Sequence, residues 1–462
     1  MRRLPVLVVT AGALLAVCGC ALAPKYTRPE APIPPALPGE TASEAGFPAV
    51  PDVPWQEFIG EPRLRSVLEL VLAGNRDLRT AALNAEAVGA QYRIRRAELY
   101  PSVGASATLD VTHVPEKLSP TGKSSTSDTY SVSGFTSWEL DLFGRIRNLK
   151  ERAFNEFLAS QQVAMATRTS LIATTAATYL ALAADSENLI LATSTLETQQ
   201  RSLELIRRSR EAGIASELDV QQAQSQVESA RFQEARYAGL VELDRHALDQ
   251  LAGAPVPLQL LPEGLDNVEP LKPLSAGVSS EVLLRRPDVL AAEYQLKAAN
   301  ANIGAARAAY FPRISLTGAL GLASPALADL FDGSTWNFTP KIVAPIFTGG
   351  ARKATAEAAR LSRDAAISQY EGVIQAAFRE ASDALSLRRT LAGQVQAGES
   401  LVHALQRTYE LSEARYRSGI DGYLGVLVAQ RELFQAQQTL VGVRLQEQQN
   451  RVDLYRVLGG GV

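Results

Sequence analysis

Few residues in this chain could do chemistry. Glu139 and Asp141 stand two apart in Trp138-Glu-Leu-Asp. In an extended strand both carboxylates share one side, the placement that acid–base work requires of a pair. His113, His246 and His403 are scattered, with no HExxH or other ligand-spaced pair. Thr348-Gly-Gly-Ala-Arg-Lys-Ala-Thr lacks the GxxxxGK[ST] spacing of a phosphate loop and reads as a turn from strand to helix. Cys18 and Cys20 are the only cysteines, which leaves no internal disulfide and no thiol for a metal site. The carboxylate pair reads as the solvated polar lining of a strand. No catalytic constellation, metal or cofactor is expected, and the chain is predicted not to be an enzyme.

The cysteines suggest another chemistry. Arg2 and Arg3, an apolar stretch and small residues precede Cys20, the pattern of a secretory signal rather than a spanning helix. Val17-Cys18-Gly19-Cys20 fits a lipobox, with residues 1–19 removed and Cys20 becoming an acylated first residue. Cys18 fits worse, because bulky Val17 would precede the cut. Residues 20–62 carry nine prolines between Pro24 and Pro54 and read as an extended tether. The formal charge of −3 becomes −5 without Arg2 and Arg3, which argues against nucleic acid as the partner.

Two hairpins organise the remainder. From Ser102 to Thr112 the even positions are polar or glycine, and Val103, Ala105, Ala107, Leu109 and Val111 are apolar. After a polar loop (113–128), Tyr130, Val132, Gly134, Thr136, Trp138, Leu140 and Leu142 face one way, and Ser131, Ser133, Phe135, Ser137, Glu139 and Asp141 the other. The pattern returns at Ile314, Leu316, Gly318, Leu320 and Leu322, and again at Trp336, Phe338, Pro340, Ile342, Ala344 and Ile346. These are amphipathic strands in hairpins 101–143 and 312–347. No second sheet is available to cover their apolar side. Lipid is the other apolar cover, and each run meets the roughly 9–11 residues a membrane strand needs.

Long helices fill the rest. No proline occurs between Gly144 and Pro255, so Arg145 to Arg210 reads as one helix of about 100 Å. Leu182, Leu189, Leu196 and Leu203 fall seven apart along it, a coiled-coil seam. Residues 212–216 break it, and Glu217 to Ala252 forms the next helix. The order then repeats: helix, hairpin, long helix, turn, helix. Residues 63–274, ending in an irregular connector, and 275–462 are therefore read as structural duplicates. Four strands leave two open edges, which lipid does not tolerate. Two copies would give a filled eight-stranded barrel, whereas three would give twelve strands and a lumen.

Several stretches together carry a family resemblance. They are Trp55-Gln-Glu-Phe, Asn75-Arg-Asp-Leu, Trp138-Glu-Leu-Asp-Leu-Phe-Gly-Arg, Leu284-Arg-Arg-Pro-Asp-Val, Tyr310-Phe-Pro-Arg-Ile-Ser-Leu-Thr-Gly, Ile346-Phe-Thr-Gly-Gly and Asp453-Leu-Tyr-Arg-Val-Leu-Gly-Gly-Gly. The chain resembles the TolC-type outer membrane factors, in their lipoprotein (NodT/OprM-like) branch. That implies an α+β membrane protein: a homotrimer with a 12-stranded barrel in outer-membrane lipid, continued by a long periplasmic helical barrel. It implies the exit duct of a tripartite efflux pump for drugs or other small toxic compounds. The partners would be a periplasmic adaptor and an inner-membrane transporter of the resistance-nodulation-division (RND) class. A duct for type I protein secretion shares the fold and stays open as an alternative. So does heavy-metal efflux, although Met1 and Met165 alone make no methionine ladder.

The resemblance also places the two helix turns at the periplasmic tip. Gly213, Ile214, Ser216, Leu218, Gly419 and Ile420 would then meet the adaptor. In TolC the tip is closed by acidic rings and a Tyr/Arg/Asp network. Aligned on Gly419, this chain has Gly425 and Val428 at the ring positions and Asp421 at the network arginine, while Tyr416 and Asp219 match. Asp421 would set like charge near Asp219, with Arg417 the nearest residue to compensate. Leu424 aligns with the apolar constriction of the OprM-like branch. A three-fold ring of Leu424, with Tyr416, Arg417, Asp219 and Asp421 as a polar collar, is the expected gate.

Overall fold

The computed structural model describes residues 22–38, 53–272 and 279–460; the expected signal segment, with Gly19 and Cys20, lies outside the described residues. In chain order the elements are α1 (Trp55–Phe58), α2 (Pro62–Gly74), α3 (Arg76–Ala97), β1 (Ser102–Val114), β2 (Ser125–Leu140), α4 (Arg145–Glu211) and α5 (Glu217–Ala252). After short 3-10 turns come α6 (Pro287–Ala308), β3 (Arg313–Ser324), β4 (Ser334–Val343), α7 (Ala351–Arg417) and α8 (Tyr423–Val457). Proline decides where helices can run. The two proline-free stretches, 145–254 and 346–462, hold the two 67-residue helices α4 and α7.

The described residues form two compact units, one from 22–30, 84–161 and 291–370, the other from 31–38, 53–83, 162–272, 279–290 and 371–460. The expected boundary at 274/275 does not separate them. Each unit draws on both halves; in the first, β2 pairs with β3 and joins the two hairpins in one sheet.

That sheet has the order β1-β2-β3-β4, antiparallel throughout. The register sets like against like. Leu109 faces Tyr130, Trp138 faces Leu316, and Leu320 faces Gly134 on one side and Trp336 on the other. On the opposite face the Thr108 and Ser131 hydroxyls lie 2.6 Å apart, and those of Ser106 and Ser133 3.2 Å apart. A one-residue slip would mix the faces. The strands end earlier than their alternation suggests: Leu142, Ala344 and Ile346 lie beyond β2 and β4. Val343 already pairs with Arg313, the first residue of β3, so later residues of the run have no strand to bond. The first loop is also shorter than expected, since β1 continues to Val114 and β2 starts at Ser125.

In the same unit the N-terminal segment straps onto α6. Arg307 Nη1 donates to the Leu22 carbonyl at 3.0 Å, Asn300 Nδ2 to that of Pro24 at 2.8 Å, and Tyr26 Oη to buried Glu293 at 3.1 Å. Arg28 also pairs with Glu293. The three α6 positions are seven apart, so they form one helix stripe.

The other unit holds the main core. Trp55, Phe58 and Ile59, placed by sequence in the tether, are buried there with Leu64, Val67 and Leu68. Phe58 stacks on Tyr455 at 4.5 Å, and the Tyr455 hydroxyl donates to the Val53 carbonyl at 3.2 Å. Leu182, Leu196 and Leu203 of the predicted seam are buried, and Leu189 is half-buried. Several signature motifs act as fasteners. Arg286 is buried and donates to Asp288 at 2.7 Å, to Glu380 at 3.1 Å and to the Val457 carbonyl at 2.8 Å. Asn75 accepts from Leu78 N and donates to the Leu251 carbonyl, tying the start of α3 to the end of α5.

Candidate functional site: the sheet face and the helix tips

Two surfaces carry exposed residues whose types call for a partner. The first is the apolar face of the sheet, where Val103, Leu109, Val132, Leu320, Trp336, Phe338 and Ile342 are exposed. Strand alternation puts them on one side, and among the described residues no second sheet covers them. β1 and β4 are both edge strands. Pro340 lies in the edge strand β4, where a missing N–H is tolerated. Among the described residues no helix is long and apolar enough to cross a membrane.

The two carboxylates at the end of this sheet are not a solvated lining. β2 stops at Leu140, so Asp141 is outside the strand. Its side chain accepts from the backbone N–H groups of Ile146 and Arg147 at 3.0 and 2.8 Å, closing the first turn of α4. Arg145 holds both oxygens of Glu139 at 2.9 Å. Both acids fasten strand to helix, and neither is free for proton transfer. The Thr348 segment is the turn from β4 into α7, with φ of 56° at Gly349 and 87° at Gly350.

The second surface is the pair of helix turns. Gly213 follows the end of α4 and Gly419 the end of α7, both in left-handed conformation at φ 75° and 70°. Ile214 N–H bonds the Ser209 carbonyl and Gly213 N–H that of Arg210, both at 2.8 Å. Ile420 and Gly419 make the same two bonds to Arg415 and Tyr416, at 3.0 and 2.9 Å. Both turns are therefore Schellman motifs, which need a residue without Cβ strain at the left-handed position. Under them Leu203 and Ile206 of α4, Val220 and Ala223 of α5, and Tyr423 and Leu427 of α8 form one core. Tyr416 of α7 packs on it, tilted against Tyr423 at 5.3 Å. Outside it Ile214, Leu218, Ile420 and Leu424 are exposed, Leu424 at 58% and Val428 less at 37%.

The polar residues sort differently from the sequence expectation. Asp219 forms a capping box with Ser216 at the start of α5, and these hydrogen bonds hold its carboxyl below the usual carboxylate range. Asp421 pairs with Arg415 rather than opposing Asp219, and that bond likewise holds its carboxyl low. Arg417 does not compensate Asp421, because the helix aims it at Glu413, one turn back, at 2.7 Å. Burial, with a smaller contribution from the Asp219 charge, pushes the Tyr416 hydroxyl upward. Arg415 was missed because it stands six residues before Asp421, and only the Schellman turn folds that interval back. Its counterpart across the first turn is the Arg210–Glu217 pair at 2.8 Å.

A sheet with one exposed apolar face and two edge strands, joined to very long helices, is the arrangement of an outer-membrane channel protein. The known relatives agree. The antibiotic efflux pump outer membrane protein ArpC and the toluene efflux pump outer membrane protein TtgC, both of Pseudomonas putida, are each 44% identical over 449 residues, covering 96% of this chain and 93% of theirs. The open-state MtrE outer membrane channel of Neisseria gonorrhoeae superposes with a TM-score of 0.86 at 36% identity, covering 96% of this chain and 98% of that one. The outer membrane efflux protein family matches residues 67–254 and 278–460, and the chain belongs to it.

Proposed function

We propose that three copies of this chain close a twelve-stranded barrel and form the exit duct of a tripartite efflux pump, passing drugs or other small toxic compounds outward. The observation that carries this is the sheet: four strands with one exposed apolar face and unpaired edges at β1 and β4. Unpaired edges are not tolerated in lipid, and three copies are the smallest closure that leaves a lumen. The repeated order of elements supports descent of both halves from one unit.

Acylated Cys20 would add a lipid anchor, secondary to the barrel. The exposed apolar residues Ile214, Leu218 and Ile420 beside Gly213, Ser216 and Gly419 suit docking of a periplasmic adaptor, itself bound to an inner-membrane transporter of the RND class. Leu424 is the residue we assign to closing the tip, with Tyr416, Asp219 and the Arg415–Asp421 pair around it. Relatives named for antibiotics and for toluene are equally similar to this chain, which favours a duct that leaves substrate choice to the transporter.

Cells lacking the chain should accumulate a fluorescent pump substrate, and expression of the full chain should restore its loss. Restoration should fail when Ile214 and Ile420 are both changed to Asp while the protein still reaches the outer membrane. Full restoration by that variant would argue against docking at the tips.

A further inference from the structure

We infer that the helix-side rim of the sheet is a binding surface for anionic phospholipid headgroups of the periplasmic leaflet. This rests on the proposed membrane placement of the sheet. Where strands hand over to helices, Tyr100, Trp138, Tyr310 and Phe347 are exposed, and Phe143 stacks on Phe311 at 4.7 Å. Aromatic side chains of this kind collect at the level where hydrocarbon meets headgroups. Exposed cations stand on the same strand and helix ends. Arg93 and Arg96 stand in the last turns of α3, Arg313 opens β3, and Lys353 and Arg360 stand in the first turns of α7. Neighbouring arginines are neutralised: Arg95 by Glu98, Arg147 by Asp141, Arg152 by Glu156. The five named first have no ion-pair partner among the described residues.

The surplus is local. The whole chain carries a formal charge of −3, and at the other end of the sheet the two strand connections carry Glu116, Asp329 and Asp332 against Lys117 and Lys123, one net negative charge. Unpaired positive charge at headgroup depth, flanked by aromatic rings, matches a phosphodiester surface. These cations would enrich anionic lipid around the barrel without altering the lumen.

The test uses the full chain in phosphatidylcholine vesicles containing a minority of phosphatidylglycerol, with bromine on the acyl chains of one lipid at a time. Of the three tryptophans, Trp138 and Trp336 lie on the apolar sheet face, whereas Trp55 is buried in the other unit. At equal mole fraction, brominated phosphatidylglycerol should quench the fluorescence more than brominated phosphatidylcholine. The excess should be lost in Arg96→Gln/Arg313→Gln/Lys353→Gln, and should shrink for the unaltered chain in high salt. Equal quenching by the two lipids, or an excess indifferent to both salt and substitution, would overturn the headgroup site and leave the membrane placement standing. No quenching by either lipid would overturn both.

Discussion

Arg415 reaches back across the second helix turn to Asp421, its Nη2 donating to Oδ1 at 3.1 Å and its Nε to the other oxygen. The first turn has its own ion pair, Arg210–Glu217, and in addition the Ser216–Asp219 capping box. The backbones of the two turns match, but α8 has Gly422 at its N-cap and so no side-chain cap. An exposed ion pair is a weaker and more salt-sensitive fastener than a cap. The second turn is therefore the looser one.

Asp421→Asn should lengthen open events in planar bilayers, and high salt should reproduce part of the effect in the unaltered chain. Because the Asp421 carboxyl is held low, the pair persists through mildly acid pH and is lost only as pH falls through that depressed value. Ser216→Ala should cost about 1 kcal/mol of helix stability with little change in gating. Opening by Ser216→Ala but not by Asp421→Asn would reverse these roles.

A second titration runs the other way. Burial, reinforced by the neighbouring Asp185 charge, pushes the Asp244 carboxyl up to about 6. A raised carboxyl favours the folded state at low pH and loses that contribution as pH rises through about 6. Asp244→Asn should raise the melting temperature at pH 7 and flatten its fall between acid and neutral pH. A lower melting temperature at pH 7 would mean the ionised pair is held by groups such as Arg236.

The helices were legible from the chain alone because proline and the Gly-Ile turns bound them. The interval from Glu217 to Ala252 is one helix in both readings. Strand faces were legible because alternation is local, but strand ends were not: β4 ends where β3 runs out of partners, a fact of register. At the tips, Gly213 and Gly419 announced the turns. The partners of Asp421 and Arg417 depended on which way each side chain leaves its helix. The carboxylates Glu139 and Asp141 misled for the same reason, since their arginine and backbone partners come from α4.

Arg286 should be indispensable to the core of its unit. Arg286 is only 6% exposed, and its guanidinium bonds Asp288, Glu380 and a backbone carbonyl. Arg286→Met should cost up to about 3 kcal/mol, since both acids keep some access to water. Urea unfolding would measure it, and a loss below about 1 kcal/mol would reduce the cluster to a surface pair.

The two sheet faces should respond oppositely to charge. Leu320 lies mid-strand on the apolar face, and Thr317 lies on the polar one against Ser137 and Thr339. Leu320→Arg should cost about 2–4 kcal/mol if near the bilayer midplane and reduce the amount assembled in outer membranes. Thr317→Arg should assemble normally. Equal damage from both would indicate a sheet covered by protein on each side.

Single-channel recording in planar bilayers tests the duct and its closure together. The unaltered chain should give small, discrete conductance steps, Leu424→Ser should enlarge them clearly, and Val428→Ala should leave them unchanged. Steps unaffected by Leu424→Ser but enlarged by Asp219→Ala would place the closure in the polar residues, and the absence of any steps from all variants would contradict a channel.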